Sequence, residues 1–243
     1  MSEVEFASGA LPYAEQLGWK ILLLAPGWKL PYIPKERGGQ GVHDATTDSE
    51  QIANWGKLCP DGNVGVACGT ASGIVVVDVD PRNGGSASLA SLAAKGRILP
   101  FGPRQRTGNG GWHYLFRADP SIGGSKGRLG PGIDVKSTGG YIVAAPSWIR
   151  ESKDGPGGTY RSEVTPFEVV PPRMPMWMTT LLCRANRPRP SFTPDARGGD
   201  IKPLARFVAG SPQGERNNRL FWAACRAREL VVRRDPKHRY SVG

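Results

Sequence analysis

Two carboxylates sit where this chain could most easily have done without them. In Ile74-Val75-Val76-Val77-Asp78-Val79-Asp80, a run of β-branched residues carries Asp78 and Asp80 to its C-terminal end, between Ser72-Gly73 and Pro81-Arg82-Asn83-Gly84-Gly85. Such a run reads as a short, mostly buried strand ending in a turn. Side chains on a strand alternate between faces, so the two aspartates share one face and Val79 takes the other. Like charges held side by side are costly unless a cation neutralises them, and hard divalent ions such as Mg²⁺ and Mn²⁺ prefer oxygen ligands of this kind. A plainer reading stays open, in which Asp80 opens a turn with Pro81 and Asp78 is solvated on an open face.

Two further stretches carry chemistry. Arg104-Gln105-Arg106-Thr107-Gly108-Asn109-Gly110-Gly111 runs directly into the aromatic strand Trp112-His113-Tyr114-Leu115-Phe116-Arg117. Glycines at 110 and 111 let a ligand approach the backbone closely, and His113 could donate to a phosphate oxygen or be a satisfied structural residue. In Gly132-Ile133-Asp134-Val135-Lys136-Ser137-Thr138-Gly139-Gly140-Tyr141-Ile142-Val143, Asp134 and Lys136 share a face of a second β-like run. A cross-strand Asp–Lys pair would explain that pattern without function. Taken together, three acids within strands, one histidine and several cations beside glycine-rich turns are what metal-dependent phosphoryl or nucleotidyl transfer requires. The basic, glycine-rich stretch from Pro26 to Gly41 could wrap phosphates through backbone N–H groups and Lys29, although it lacks P-loop spacing.

The elements that must position these groups are strands over 19–24, 63–67, 74–80, 112–117, 133–136 and 140–145, with helices between them. Apolar spacing predicts a helix over 6–17 stopped by Gly18, and Gly85 to Lys95 has helical spacing at Leu89, Leu92 and Ala93. Thr47-Asp48-Ser49-Glu50 reads as a capping box opening a short helix through Ile52 and Trp55. The expected class is α/β (α+β). The domain plan is a catalytic domain over 1–175, left through a proline-rich exit, then a Pro/Arg/Gly-rich linker over 176–202 and a basic helical segment over 203–243.

At 243 residues with a net charge of +11, 39% hydrophobic and 22% charged, the chain can bury a full core. From 1 to 183 there are 18 Lys and Arg against 16 Asp and Glu; from 184 to 243 there are 14 against 5. The basic last quarter points to a polyanionic partner such as nucleic acid, or else to a solvated tail or a helix docking on a partner. The cysteines at 59, 68, 183 and 225 form no Cys-x-x-Cys pair, so no zinc site and reduced, intracellular thiols are expected. Neither a signal peptide nor a membrane span is read, and the expected location is cytoplasmic. With no Walker motif, a replicative helicase would have to be another chain.

The order Asp78-Val79-Asp80, Gly111-Trp112-His113, Ile133-Asp134-Val135 resembles the three motifs of the archaeo-eukaryotic primase superfamily, and more closely the bifunctional primase-polymerase domains of plasmids, phages and prophages. His43-Asp44-Ala45-Thr46-Thr47-Asp48, Asn63-Val64-Gly65-Val66 followed by Gly69, and Gly139-Gly140-Tyr141-Ile142-Val143 support it, over about Gly18 to Pro172. The resemblance implies a mixed sheet related to the RNA-recognition-motif arrangement beside an N-terminal αβ unit. It implies Asp78, Asp80 and Asp134 as ligands of two Mg²⁺ or Mn²⁺ ions, and His113 as a ligand of the incoming nucleotide's phosphates. The partners would be a single-stranded DNA template and dNTPs or NTPs. Gly111 stands where the second motif usually has Ser, so that hydroxyl contact is lost, or passes to Thr107 or to backbone N–H groups. Strand phase and proximity add Lys136 and Arg106 as further triphosphate contacts. Two other functions remain open, a metal-dependent phosphodiesterase and a non-catalytic single-stranded DNA-binding initiation module.

Overall fold

The computed structural model describes residues 5–186 and, beyond them, Arg206, Val208, Ala209, Gly210, Leu220 and Ala223. The chain forms two compact units, Met1–Cys183 and Arg184–Gly243. In the second, residues 184–186 and the described positions Arg206, Val208, Ala209, Leu220 and Ala223 are helical, and apart from these and Gly210 the expected linker and basic segment beyond residue 186 lie outside the described residues.

The first unit runs α1 (Phe6–Leu17), β1 (Ile21–Leu24), α2 (Ser49–Leu58), β2 (Asn63–Ala67), β3 (Ile74–Val79), α3 (Gly85–Ala93), β4 (Arg104–Arg106) and β5 (Trp112–Arg117). It continues with β6 (Ser125–Lys126), β7 (Ile133–Lys136), β8 (Tyr141–Val143), β9 (Trp148–Ile149), β10 (Gly158–Thr159), β11 (Arg161–Val164) and α4 (Met176–Asn186). Helix α1 buries Phe6, Ala10, Tyr13 and Ala14 and ends at Gly18, whose left-handed backbone (φ 65°) lets its own N–H donate to the Ala14 carbonyl and the Trp19 N–H donate to the Tyr13 carbonyl. The cap of α2 is Asp48, not Thr47: its carboxylate accepts from the N–H groups of Glu50 and Gln51. Thr46 Oγ1 accepts from Asp48 N–H at 3.0 Å, holding that cap in place.

Six strands form one sheet in the order β11-β4-β5-β3-β7-β6, and three form another in the order β1-β2-β8. Every pairing between named strands is antiparallel, which corrects the expected mixed sheet. The stretch through α3 does bring β4 back in the direction of β3. The turn after β4 then inserts β5 between them, so no parallel pair forms.

Alternation divides the packing. Ile74 and Val76 of β3 join α1, α2 and the smaller sheet in one core, while Val75, Val77 and Val79 face a second core with Ile133, Val135, Met178 and Leu182. A third cluster gathers Leu22, Leu24, Val143, Ile149 and Tyr160. The proline-rich stretch leads into α4, whose Met178 and Leu182 are 0% and 1% exposed. At about 1.5–3 kcal/mol for each fully buried large apolar side chain, these residues anchor the first turns of what composition suggested was linker.

Candidate active site

On the face of β3 that begins with Ile74 and Val76, the next side chain is Asp78, and it belongs to a polar row crossing the whole larger sheet. Ser162 of β11 pairs with Gln105 of β4, Gln105 with His113 of β5, His113 with Asp78, Asp78 with Asp134 of β7, and Asp134 with Lys126 of β6. Directly opposed side chains on paired strands share a face, so sheet register alone brings the first-, second- and third-motif residues together.

The row opens onto a cavity of about 260 Å³. Asp78, Asp80, His113, Asp134, Thr107 and Gly111 line it, together with Lys29, Arg82, Asn83, Asn109 and Tyr160. Its charges are balanced by the chain's own cations. Lys136 Nζ lies 3.8 Å from Asp78 Oδ2 and 3.6 Å from Asp134 Oδ2, and Asp134 Oδ1 accepts from Gly127 N–H at 3.2 Å.

Asp80 lies just past the end of β3 and caps the 3₁₀ turn Pro81–Asn83, so the turn-opening reading of this residue is part of the answer. Its Oδ1 accepts from Arg82 N–H and from Arg82 Nε, both at 3.0 Å. Its Oδ2 accepts from Arg82 Nη2 and Asn83 Nδ2, both at 2.8 Å. The Arg82 hydrogen bonds hold this carboxyl below the usual carboxylate range.

Among the described residues, no three His, Cys, Asp or Glu side chains converge tightly enough to enclose a metal ion as they stand. The donor set nevertheless fits a hard cation. Asp78 and Asp134 present facing carboxylates with a cation already between them, and Asp80 would join once Arg82 turns away.

His113 is 5% exposed, and burial pushes its pKa down to about 4 against the opposing pull of Asp78, so the ring is neutral at pH 7. The same burial raises the Tyr160 phenol above its ordinary range.

The glycine in the second motif has a steric cause. A Cβ at Gly111 would meet the Val79 carbonyl oxygen at 2.5 Å and Thr107 Oγ1 at 3.0 Å. A serine does not fit there without a backbone shift, and Thr107 places a hydroxyl beside the vacant Cβ position. That hydroxyl accepts from Gly111 N–H at 2.9 Å, which leaves its own proton unspent on this bond.

Arg106 is not brought into the site. It pairs with Trp112 on the opposite face of the sheet, stacks on that indole at 3.9 Å, and lies 3.5 Å from Glu163. Within Arg104-Gln105-Arg106 the inward position belongs to Gln105, so proximity in sequence named a residue one step out of phase. Lys136 is on the site face, as its spacing from Asp134 required.

Lys29 reaches the site from the loop after β1. Buried Asn63 donates to the Trp28 carbonyl at 3.0 Å, and Tyr141 Oη donates to the Lys29 carbonyl at 2.8 Å. Asn109 ties the loop before β10 to the cavity, donating to Asp154 O at 2.9 Å and accepting from Gly157 N–H at 3.0 Å. Neither Arg82 nor Asn109 carries a signal in the sequence beyond its place in a glycine-rich turn.

A family model described as bifunctional DNA primase/polymerase, N-terminal, matches residues 10–177. No curated protein matches the chain. The matched segment runs from α1 into the start of α4 and contains every strand of the site, so the chain belongs to the family of bifunctional DNA primase/polymerase N-terminal domains.

Proposed function

We propose that the cavity is the catalytic centre of a template-directed nucleotidyltransferase, a DNA primase/DNA polymerase that makes or extends primers on single-stranded DNA. Asp78, Asp80 and Asp134 would hold two divalent ions, Mg²⁺ or Mn²⁺. The observation that carries this reading is the pairing of Asp78 with Asp134 in one row with His113, inside a chain of this family. When bound, the ions would lower the pKa of the primer 3′-hydroxyl and stabilise charge on the α-phosphate and departing pyrophosphate.

The chain's own residues serve the triphosphate. Lys136, which bridges two carboxylates, is freed to face phosphate when those carboxylates are otherwise neutralised. Lys29 adds a second ammonium from the pinned loop, and Thr107 contributes a hydroxyl proton. His113 adds a hydrogen bond without adding charge. Asn109 and Tyr160 shape the wall.

The setting we propose is phage or plasmid replication in the cytoplasm, with dNTPs or NTPs as substrates and a replicative helicase on another chain. Among the described residues no helix is long and apolar enough to cross a membrane. One observation favours a second reading, a non-catalytic single-strand-binding module: each of the three aspartates already has a cationic partner, Arg82 for Asp80 and a shared Lys136 for Asp78 and Asp134.

The test is synthesis on unprimed and primed single-stranded DNA with labelled nucleotides and Mg²⁺ or Mn²⁺. Metal-dependent products on both templates support priming and polymerisation. Product on the primed template alone restricts the protein to extension. Product on neither, with salt-sensitive DNA binding intact, favours the binding module.

A further inference from the structure

His113 has two ring nitrogens, and its neighbour decides which one carries the proton. Gln105 stands opposite it on β4 and is 5% exposed. Backbone groups fix the orientation of the Gln105 amide: Oε1 accepts from Ala145 N–H at 3.0 Å, and Nε2 donates to the Val143 carbonyl at 2.7 Å. Turned over, the amide would set N–H against N–H and oxygen against oxygen. The second proton of Nε2 therefore falls on His113 Nδ1, 2.8 Å away. An amide nitrogen only donates, so Nδ1 must hold a lone pair. An imidazolium, which donates from both nitrogens, is excluded by the same contact, and the neutral ring carries its single proton on Nε2.

That Nε2–H has no partner of its own on the row. The carboxylate beside it, Asp78 Oδ1, is 3.6 Å away, beyond hydrogen-bond length. We propose that Gln105 is a positioning residue that locks His113 as the Nε2–H imidazole, so that a neutral, preoriented N–H faces the cavity as the donor for a phosphate oxygen of the incoming nucleotide. The identity of that ligand rests on the nucleotidyltransferase reading; the tautomer does not. Because Gln105 also bonds to Val143 and Ala145, it ties the histidine to the end of β8 in the other sheet, and the ring cannot turn without breaking that link.

The experiment is a long-range proton–nitrogen correlation spectrum of the ¹⁵N-labelled protein at pH 7 in metal-free buffer, with H43Q and H238Q variants to assign His113. The expected pattern is an unprotonated Nδ1 and a protonated Nε2. A protonated Nδ1, alone or with Nε2, would overturn the proposal. Q105L, which removes the amide but keeps bulk, should give mixed tautomers and raise the nucleotide KM about 10-fold with kcat held within about twofold. An unchanged Nε2–H signature in folded Q105L would show that Gln105 does not set the tautomer. Should Q105L fail to fold, Q105E keeps the acceptor for Ala145 and presents an acceptor to Nδ1. A proton is then expected on Nδ1, and its absence counts against the proposal. A wild-type spectrum as expected, with no nucleotide incorporation, would remove the polymerase reading and leave the tautomer standing.

Discussion

Asp78 and Asp134 stand directly opposite each other on neighbouring antiparallel strands, and Lys136 Nζ lies within 4 Å of a carboxylate oxygen on each. Opposed like charges are destabilising, and the lysine is the cation that tolerates them in the absence of metal. A divalent ion competing for the same oxygens should therefore stabilise the fold by mass action. Millimolar Mg²⁺ or Mn²⁺ is expected to raise the melting temperature of the wild type and not of D134N, measured by differential scanning calorimetry. D134N should also lose about 10²-fold or more in incorporation rate while remaining folded. Equal metal-dependent stabilisation of both proteins would place the ion elsewhere.

Arg82 competes for Asp80. Four hydrogen bonds from Arg82 and Asn83 fill that carboxylate, and three of them come from Arg82. Removing the side chain in R82A should tighten divalent-ion binding about 2–5-fold in the absence of nucleotide, since an exposed ion pair is worth only about 0.2–1 kcal/mol. Titration calorimetry reads this directly. Unchanged affinity would leave Asp80 as a turn cap alone.

Gly111 is held to glycine by the Val79 carbonyl rather than by its dihedral angle. The G111S variant, which adds a hydroxyl at this position, should be less stable by about 1–3 kcal/mol, because the added Cβ forces the backbone to shift. T107V should cost about 1 kcal/mol through the lost bond to Gly111 N–H. Both are measured by denaturant unfolding, and a G111S protein as stable as wild type would contradict the steric account.

Burial makes His113 a source of acid sensitivity. A base whose folded pKa is depressed contributes stability that is complete above its unfolded value and is lost as pH falls toward the folded one, here about 4. Between pH 7 and pH 5 in metal-free buffer, the wild type should lose about 2 kcal/mol more than H113N. Equal losses would mean that the ring reaches solvent.

The strand carrying Asp78 was legible because its β-branched run is bounded by turns, and Asp134 with Lys136 because alternation sets their common face. Asp80 was harder: the strand ends at Val79, and the carboxylate faces the site from a cap position. Gln105 and Lys29 act through partners far along the chain, at 143–145 for one and at Asn63 and Tyr141 for the other, and local periodicity carries no trace of those. The short strands β4, β6, β9, β10 and β11 were missed for a related reason. They are polar or only two residues long, and neighbouring strands rather than their own composition hold them extended.

The central claim is tested most directly by primer extension on single-stranded DNA with the double variant D78A/D80A beside the wild type, with DNA binding measured in parallel. The account predicts metal-dependent product from the wild type, none from the variant, and the same salt-sensitive DNA affinity for both. Product from the variant at the wild-type rate, or none from the wild type while DNA binding persists, would contradict it.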